Sequence, residues 1–519
     1  MNKFSISLQQ ACALKHTRRP RGSILLMTAI TLFVVAAITM GALTLTTNAV
    51  YMNQRQLSRA CAMNLAESGA EQGELWLFEQ GVPPTSPHTF SQNLGDGSFE
   101  VTITPDPDNG TASLKVYTIV STGSVGGVSK RVEIVVQQAT FGRYAYFTDS
   151  ETSSISGGAI WWKAGELVDG PVHSNNTNGS NFNINYNNSV SPIFLSMVTG
   201  SGSTINYNPG RPQDEATFRR IFADGSKGYK LGVPRVDLPE STDRQRSAAW
   251  GSSANYPTET GVYLKSDVGG GIYVVGNCEI LASLDGSGNQ VFSISQTVDG
   301  NPQTTTITMN KQTGTTTATG PLGPGSATSS PNLTNGVLYC TGNITSLAGV
   351  IADNWVDGGQ VIARSAYTIA TDVNNGKTIK ITDDLEYNTQ PDKSLPSDDP
   401  VNLAAGTLGL VAKDIIISSS APPDLEIDAV CLAGGRDTSG GSFYVENYST
   451  KTPVGTLTVT GGIIQKARGP VGTFNPYTGQ TVSGYAKNYH YDPRLATQPP
   501  PYYPTTGHYE RLSWRVLPD

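Results

Sequence analysis

A stretch without any charged residue separates Arg21 from Arg55 near the start of this 519-residue chain. Its first part, residues 23–45, is mostly apolar and, at a rise of ~1.5 Å per residue, makes a helix of ~35 Å. That length crosses the ~30 Å hydrocarbon core of a bilayer. A basic cluster at residues 15–21 precedes it and predicts a cytoplasmic N-terminus. We therefore predict a single-pass segment in a bacterial cytoplasmic membrane, with the bulk of the chain extracytoplasmic.

The side chains predicted to face lipid or neighbouring helices are the large apolar ones of this stretch: Ile24, Leu25, Leu26, Leu32, Phe33, Val34, Val35, Ile38, Leu43 and Leu45. A secretory signal peptide fits less well, because its apolar core is usually only ~7–15 residues long.

The helical pattern continues beyond the length that a membrane needs. No proline interrupts residues 54–78, and Glu67, Glu71 and Glu74 fall on one polar face. The first break comes at residues 81–84, which read Gly-Val-Pro-Pro. We predict one helix over residues 23–79, apolar all round in its first half and amphipathic in its second. Apolar residues of that second half, expected to form its docking face, are Leu57, Cys61, Leu65, Leu75, Trp76 and Phe78.

The junction Arg21-Gly22-Ser23 and the later segment at residues 64–71, NLAESGAE, together resemble the N-terminus of the PilX-like type IV minor pilins. The resemblance covers about residues 15–80. It implies that residues 1–22 are a leader and that a prepilin peptidase cuts between Gly22 and Ser23. The new N-terminal helix then anchors the protein in the membrane and mediates its assembly with other subunits. Major pilins carry Glu at the fifth mature position, where this chain has Met27, and that difference favours a minor or initiating role.

Beyond the helix, the composition favours short strands and tight turns. The chain has 56 Gly and 31 Pro, and only 15% of its residues are charged, against ~25% in average globular proteins. Apolar and polar residues alternate at 98–104, 112–122 and 128–138, which predicts a small antiparallel sheet within residues 81–140. In pilins such a sheet packs on the helix.

From residue 141 to 480, short hydrophobic strands alternate with Gly, Asn and Asp turns. The pattern predicts an irregular β-solenoid, right-handed and β-helix-like, with a β-sandwich as the alternative. We thus expect a mainly β fold class: a pilin-like α+β module with one long helix, then a solenoid. Two polar stretches, residues 175–208 and 312–331, are predicted as long surface loops. Residues 481–519 are predicted to be an aromatic- and Pro-rich cap, with Trp514 lying over the last turn of the β region.

Residues 140–519 also resemble a family of large bacterial pilin-associated surface proteins. The motifs that carry this resemblance are GPVHSN from Gly170, GGIY from Gly270, DGSGN from Asp285, GGIIQ from Gly461, RGPVG from Arg468 and KNYHYDPR from Lys487. It implies architecture rather than an activity.

Residues that carry chemistry are sparse, and we predict no catalytic residue, no cofactor and no metal. His173 and Ser174 are neighbours on a strand and point to opposite faces. The Asp285 loop lacks the distal Glu of a calcium loop. The remaining candidates are His490 with Asp492 and Arg494, the acids Asp383, Asp384 and Glu386, and the pair Asp398 and Asp399. Each of these groups is typical of turns and solvated loops.

The cysteines and the net charge narrow the function classes further. Cys278, Cys340 and Cys431 are not in a CxxC spacing, so they predict no zinc site, and buried thiols are favoured over a disulfide. The net charge of −7 and the lack of a basic stripe give no support for nucleic-acid binding.

We predict a non-enzymatic component of a type IV pilus-like assembly, a minor pilin or pseudopilin. Its expected partners are membrane lipid, other pilin or pilus-assembly subunits and a prepilin peptidase. One alternative is a surface adhesin that binds carbohydrate or cells. The other is a β-solenoid carbohydrate-active enzyme, which needs paired carboxylates along one groove.

Overall fold

The computed structural model describes residues 23–80, 84–107, 114–177, 179–187, 189–265, 269–475 and 477–518. The predicted leader, residues 1–22, and with it Gly22 of the cleavage junction, lie outside this part of the chain. The chain is mainly β with one long N-terminal helix, and of the described residues 43% are in strands and 18% in helices. Helix α1 spans Ser23–Glu79, as predicted from the sequence.

The first strands after the helix form antiparallel pairs in chain order. They are β1 (His88–Leu94), β2 (Gly97–Pro105), β3 (Val116–Val125) and β4 (Val128–Thr140). The sheet predicted from the alternating pattern is therefore confirmed, with β1 as an additional strand. The second half of α1 packs on β2, β3 and β4, and the core between them contains Phe99, Val101, Ile119, Ile134 and Val136.

The next part of the chain contains short strands and two helices. They are β5 (Tyr146–Ser153), β6 (Leu167–Val168), β7 (Val172–Ser174), β8 (Asn183–Asn185), β9 (Ile193–Phe194), β10 (Val198–Gly200), β11 (Asn206–Asn208), α2 (Glu215–Ile221), β12 (Tyr229–Leu231) and α3 (Asp243–Trp250).

The surface loop predicted for residues 175–208 is wrong, because this stretch is part of the core. Phe182, Ile184 and Phe194 are buried. The asparagines that made the stretch look loop-like support the packing: Asn181 Oδ1 accepts from the Gly202 N–H at 2.9 Å, and Asn206 Nδ2 donates to Asn183 Oδ1 at 3.0 Å. Asparagine side chains that bind the backbone of a neighbouring turn satisfy polar groups that burial would otherwise leave unpaired.

The following segment contains both parallel and antiparallel strands. They are β13 (Gly261–Leu264), β14 (Ile272–Val275), β15 (Cys278–Leu284), β16 (Gln290–Val298), β17 (Asn301–Asn310), β18 (Thr315–Thr319), β19 (Ser329–Ser330), β20 (Val337–Cys340), β21 (Ile344–Ile351), β22 (Trp355–Asp357) and β23 (Gln360–Ala363). The loop predicted for residues 312–331 is also wrong, since β18 pairs with β17 and β19. Its threonines favour strands, and Thr316 is fully buried.

The remaining elements up to residue 497 are longer strands and two short helices. They are β24 (Ala366–Thr371), β25 (Thr378–Tyr387), α4 (Pro400–Ala404), β26 (Thr407–Ala412), β27 (Asp414–Ile417), β28 (Leu425–Ala433), β29 (Phe443–Val445), β30 (Gly455–Arg468), β31 (Gly472–Phe474), β32 (Thr481–Tyr491) and α5 (Arg494–Thr497).

Within the described residues, parallel pairing joins these strands into three runs. The first is β14, β20, β24, β26, β28, β30, β5, β7, β10 and β12. The second is β15, β21, β25, β27 and β29. The third is β25, β28, β30, β32, β6 and β9. Strand β25 belongs to the second and third runs. Strands β28 and β30 belong to the first and third, because their first halves pair in the third run and their second halves in the first. Strands β8 and β11 form a separate parallel pair.

One row of buried side chains crosses the first run from strand to strand. It consists of Ile272, Leu338, Ile369, Leu410, Cys431, Ile463, Tyr146, Val172 and Val198. The opposite face of the same strands is also buried, by α3 and by Tyr503. Burial on both faces is typical of parallel sheets.

The chain ends by returning to its first sheet. Strand β33 (Thr505–Leu517) pairs antiparallel with β4 and completes a five-stranded sheet. The predicted cap of residues 481–519 is thus divided: Tyr503 is buried against the first parallel run, whereas Trp514 pairs with Ile134 of the N-terminal sheet. The expectation that Trp514 covers the last turn is wrong, because β33 binds the free edge of β4. The parallel region is therefore inserted between two adjacent strands of the helix–sheet module.

Candidate functional site

The first half of α1 carries no packing partner among the described residues. The side chains predicted to enter the membrane are between 51% and 81% exposed: Ile24, Leu25, Leu26, Leu32, Phe33, Val34, Val35, Ile38, Leu43 and Leu45. By length and composition the helix can cross a membrane. An apolar surface of this size is rare on a monomeric soluble protein and marks a membrane or protein contact.

The threonines of this half are compatible with an apolar surrounding. Thr31 Oγ1 donates to the Met27 carbonyl at 2.9 Å, Thr39 Oγ1 to Val35 at 2.9 Å and Thr47 Oγ1 to Leu43 at 2.7 Å. Each hydroxyl therefore meets its hydrogen-bond need inside the helix, where no water is required. The threonine hydroxyls of this half therefore do not need water as a hydrogen-bond partner.

The second half of α1 docks on the sheet through small residues. Gly69 and Gly73 face the strands so closely that an added Cβ would lie 2.3 Å from Ser121 Oγ at the first position and 2.8 Å from Ile119 Cγ2 at the second. A Cβ at Gly123 would lie 2.2 Å from the Ala62 carbonyl oxygen. Glycine on both surfaces allows this close approach. The prediction of the docking face from the sequence is therefore partly wrong, because small residues that it did not include make the closest contacts.

Of the residues predicted for this face, Leu65 is buried in it and Trp76 packs against the same core, whereas three others lie elsewhere on the helix. Leu57, Leu75 and Phe78 are 66%, 46% and 50% exposed, and the face that docks is Ala62, Leu65, Ala66, Gly69, Ala70, Gly73 and Leu77. The small residues are favoured because they let the helix lie against the sheet at short distance, which the larger side chains would prevent.

The last strand is joined to the helix by charge and by stacked rings. Arg511 donates from Nε and Nη2 to the two carboxylate oxygens of Glu74, at 2.5 and 2.7 Å. The His508 ring stacks on Phe78 with centroids 5.1 Å apart. The hydrogen bond to Glu74 raises the pKa of Arg511. These contacts connect the end of the chain to the docking half of α1.

A second candidate lies on the outward face of the third parallel run, where polar residues form two rows. Because Leu385 pairs with Ile427, the acids Asp384 and Glu386 lie beside Glu426 and Asp428 on the next strand. The rows continue through Thr458 and Asn488, and through Thr460 and His490. Folding therefore brings together two groups that the sequence named separately, the acids near residue 384 and the His490 cluster.

Three carboxyl groups of these rows, those of Glu386, Glu426 and Asp428, have a raised pKa. Burial raises the pKa of Asp428 to about 6, against hydrogen bonds from the Tyr387 N–H at 2.8 Å and from Gln390 that lower it. Burial also raises the pKa of Glu386, with the nearby Glu426 carboxylate adding to the increase. Close carboxyl groups share protons because like charges repel.

His490 lies at the edge of a groove of about 840 Å³, which Gln390, Lys393 and Thr460 also line. Its Nδ1 is 3.3 Å from Asp169 Oδ2, and Asp169 also forms an ion pair with Lys393. Burial and the nearby Lys393 lower the pKa of His490. We call the two rows together with this groove the acid groove.

The other members of the His490 cluster hold the structure together. Arg494 donates to both carboxylate oxygens of Asp492, at 3.0 and 2.7 Å, and to the Ala405 carbonyl at 2.7 Å. An arginine bound in this way fixes a loop and is not free for a substrate.

The other sequence candidates have local structural partners. His173 uses both ring nitrogens, on Thr199 Oγ1 at 2.8 Å and on Asn175 Oδ1 at 2.9 Å, and Ser174 contacts Thr148. Asp285 accepts from the Ser287 and Asn289 N–H groups at a hairpin tip.

Two of the remaining acids accept local hydrogen bonds, and the third is exposed. Asp399 caps α4, Asp383 accepts from the Asp384 N–H, and Asp398 is exposed. Among the described residues, no group of three or more His, Cys, Asp or Glu side chains has a metal-binding arrangement. The sequence analysis did not identify Glu426 and Asp428 as members of the acid groove. The only sequence signal for them is the alternation of polar and apolar residues in Glu426-Ile427-Asp428, which recurs in Thr458-Val459-Thr460.

Comparison with known proteins gives limited information. The family profile described as "Domain of unknown function (DUF4900)" matches residues 110–203. Among solved structures, the competence-associated pilin ComZ from Thermus thermophilus is similar at 14% identity and a TM-score of 0.29, over 89% of this chain and 98% of that one. No curated protein matches the sequence.

Proposed function

We propose that this chain is a membrane-anchored structural component of a type IV pilus-like assembly, in the manner of a minor pilin or pseudopilin. The observation that carries the proposal is the division of α1. Its first half is apolar and exposed all round, and its second half docks by small residues on an antiparallel sheet. A simple anchor needs only the first half. A helix that lies in a membrane or an assembly with its first half, and carries a displayed domain on its second half, needs both halves.

The proposal includes an orientation and a processing step. Residues 15–21 are basic and keep the N-terminus in the cytoplasm, which leaves the sheet and the parallel region outside. A prepilin peptidase removes residues 1–22 and makes Ser23 the first residue. Membrane lipid and the apolar helices of other pilin subunits then cover the exposed half of α1.

We further propose that the three parallel runs are the faces of an irregular β-solenoid. The support is the continuous buried row across the first run, since each turn buries its apolar face on its neighbours. In this role the region is displayed by the helix–sheet module and does no bond-making. The insertion between β4 and β33 fixes it at both ends.

N-terminal sequencing of the membrane-extracted protein tests the processing step. The expected first residue is Ser23 in the native chain, whereas a Gly22→Leu variant stays unprocessed at Met1. A leader substitution away from the junction, Thr17→Leu, serves as the matched control and is processed normally. A native N-terminus at Met1, or beyond residue 45, would remove the proposal's main support.

The carbohydrate-active enzyme is the second candidate, and the acid groove is the observation in its favour. Glycosidic bond cleavage uses a pair of carboxyl groups, one of them with a raised pKa, and burial raises the pKa of both Glu386 and Glu426. These two residues lie on the rows that continue to Thr460 and His490 at the groove. The test is release of reducing ends from plant and bacterial polysaccharides by the native chain and by a Glu386→Gln, Glu426→Gln double variant. Release that the double variant loses would favour the enzyme; no release from either leaves the structural role.

A further inference from the structure

A cavity of about 240 Å³ lies apart from the acid groove, between the turn that follows β5 and the segment around β31 and β32. Its floor is formed by the charged side chains of Lys163, Glu166 and Lys487, and its walls by Trp161, Tyr448 and Phe474. The volume is at the small end for ligand pockets, which usually measure ~300–1,000 Å³, and matches a ligand of one ring.

The charged floor is deeply buried. Lys163 and Glu166 are 9% and 3% exposed as residues, and the Lys487 side chain is 10% exposed. Lys487 Nζ lies 2.9 Å from Glu166 Oε1, and the other Glu166 oxygen accepts from the Lys163 N–H at 3.0 Å. The Lys487 ammonium group thus forms an ion pair with Glu166, whereas Lys163 binds this carboxylate through its backbone N–H and directs its own ammonium group to the Gly479 carbonyl. Two lysines against one glutamate leave one positive charge in excess at the floor.

Groups behind the floor do not cancel this excess. Arg468 lies over the Trp162 ring at 4.4 Å, and its charge is balanced by Glu151, 2.7 Å away. Lys487 lies over the same ring at 4.9 Å. An ammonium group has three N–H donors. Glu166 takes one from Lys487, and the Gly479 carbonyl takes one from Lys163 at 3.2 Å. The other N–H donors of the Lys163 and Lys487 ammonium groups remain for the oxygens of a ligand.

The walls supply the complementary apolar surface. Trp161, Tyr448 and Phe474 are half-buried aromatic residues at the cavity. Flat aromatic faces pack against the C–H face of a sugar ring, and a few fixed polar groups then set its orientation. Aromatic walls over a positively charged floor fit a saccharide that carries a carboxylate better than a neutral one.

We propose that this cavity binds a uronic acid residue of an acidic saccharide, with Lys163 and Lys487 on the carboxylate and Trp161 against the ring. Free uronate and the terminal residue of an oligosaccharide share this chemistry. The inference goes beyond the assembly role, and it does not depend on whether the chain is processed or enters a filament.

The test is a titration of the full chain in detergent micelles, followed by tryptophan fluorescence and calorimetry. The probes are D-glucuronate, trigalacturonate and the neutral control D-glucose. Saturable binding of both acidic probes, at least ~10-fold tighter than glucose, is the expected result, because charge-assisted hydrogen bonds discriminate by about that factor. Binding of trigalacturonate alone assigns the site to an oligosaccharide, and tighter binding of glucuronate assigns it to the free acid.

Three variants make the assignment specific to the cavity. Trp161→Ala weakens the binding of both acidic probes by ~10-fold, and Lys163→Met abolishes the preference for the acidic probes over glucose. The control Trp355→Ala, at a half-buried tryptophan outside the cavity, changes neither the affinity nor the preference. Circular dichroism checks that each variant folds. If Lys163→Met unfolds, the Trp161→Ala variant still tests the proposal, because Trp161 is only half-buried. Binding of glucose as tight as that of the acidic probes, no saturable binding of either acidic probe, or an unaltered Trp161→Ala variant would each overturn the proposal. Membrane anchoring is measured separately and stays intact in all of these outcomes.

Discussion

Replacing Asp428 by Asn changes how the stability of the chain depends on pH. Burial raises the pKa of this carboxyl group from 3.8 to about 6 in the folded protein. A difference of ~2 units at ~1.4 kcal/mol each amounts to ~3 kcal/mol. The folded state binds the proton more tightly than the unfolded chain does, so this contribution is present below about pH 4 and is lost as the pH rises through 6.

Asparagine keeps the shape of the side chain without the charge. Both hydrogen bonds that Asp428 accepts, from the Tyr387 N–H and from Gln390, go to its Oδ2, so the amide oxygen of asparagine in that place keeps both of them. The free energy of unfolding of Asp428→Asn should therefore exceed that of the native chain by ~3 kcal/mol at pH 8 and be about equal to it at pH 4.

The assay is guanidinium unfolding of the detergent-solubilised chain at pH 4 to 8. Asp383→Asn is the matched control, because Asp383 is an exposed acid on the same strand. Its unfolding curve should stay parallel to that of the native chain across this range. Curves for Asp428→Asn that run parallel to the native ones, or a loss of stability at pH 8, would refute the buried-charge reasoning.

Three further predictions follow from other parts of the molecule. Gly73→Val should destabilise the helix–sheet module by ~2–3 kcal/mol through overpacking against Ile119, whereas Gly41→Val, where nothing lies within 4 Å, should leave it unchanged in thermal unfolding. Iodoacetamide should modify Cys61 in the native chain but reach the buried Cys278, Cys340 and Cys431 only after unfolding, as mass spectrometry of peptides would detect. A chain that stops at Pro504 lacks β33 and exposes the edge of β4, so it should aggregate in light scattering, whereas one that stops at Leu517 should not.

Local patterns in the sequence predict the elements well where the pattern is long. The uncharged run and the absence of proline give α1 its observed bounds, and alternation gives β2, β3 and β4. The docking face of α1 is not predictable in the same way. Glycine and alanine carry little hydrophobic signal, and only the approach of Gly123 on the facing sheet explains why they are used.

Long-range pairing accounts for the remaining errors. Nothing local indicates that residues 505–517 return to β4, or that Asp384 and Glu386 meet Glu426 and Asp428, about forty residues further along the chain. Asparagine-rich stretches resemble loops by composition, and those at residues 175–208 are buried because their amides bond to neighbouring backbone. Such partners are set by the stacking of strands and cannot be read from a single segment.

The central claim is that the first half of α1 lies in lipid while the second half docks on a sheet in water. Spin labels at Val34→Cys and Glu67→Cys, each in a Cys61→Ser background and in lipid nanodiscs, test it by collision with oxygen and with a water-soluble nickel chelate. The account predicts that the label at residue 34 collides mainly with oxygen and the label at residue 67 mainly with nickel. Nickel access at residue 34 equal to that at residue 67 would contradict it.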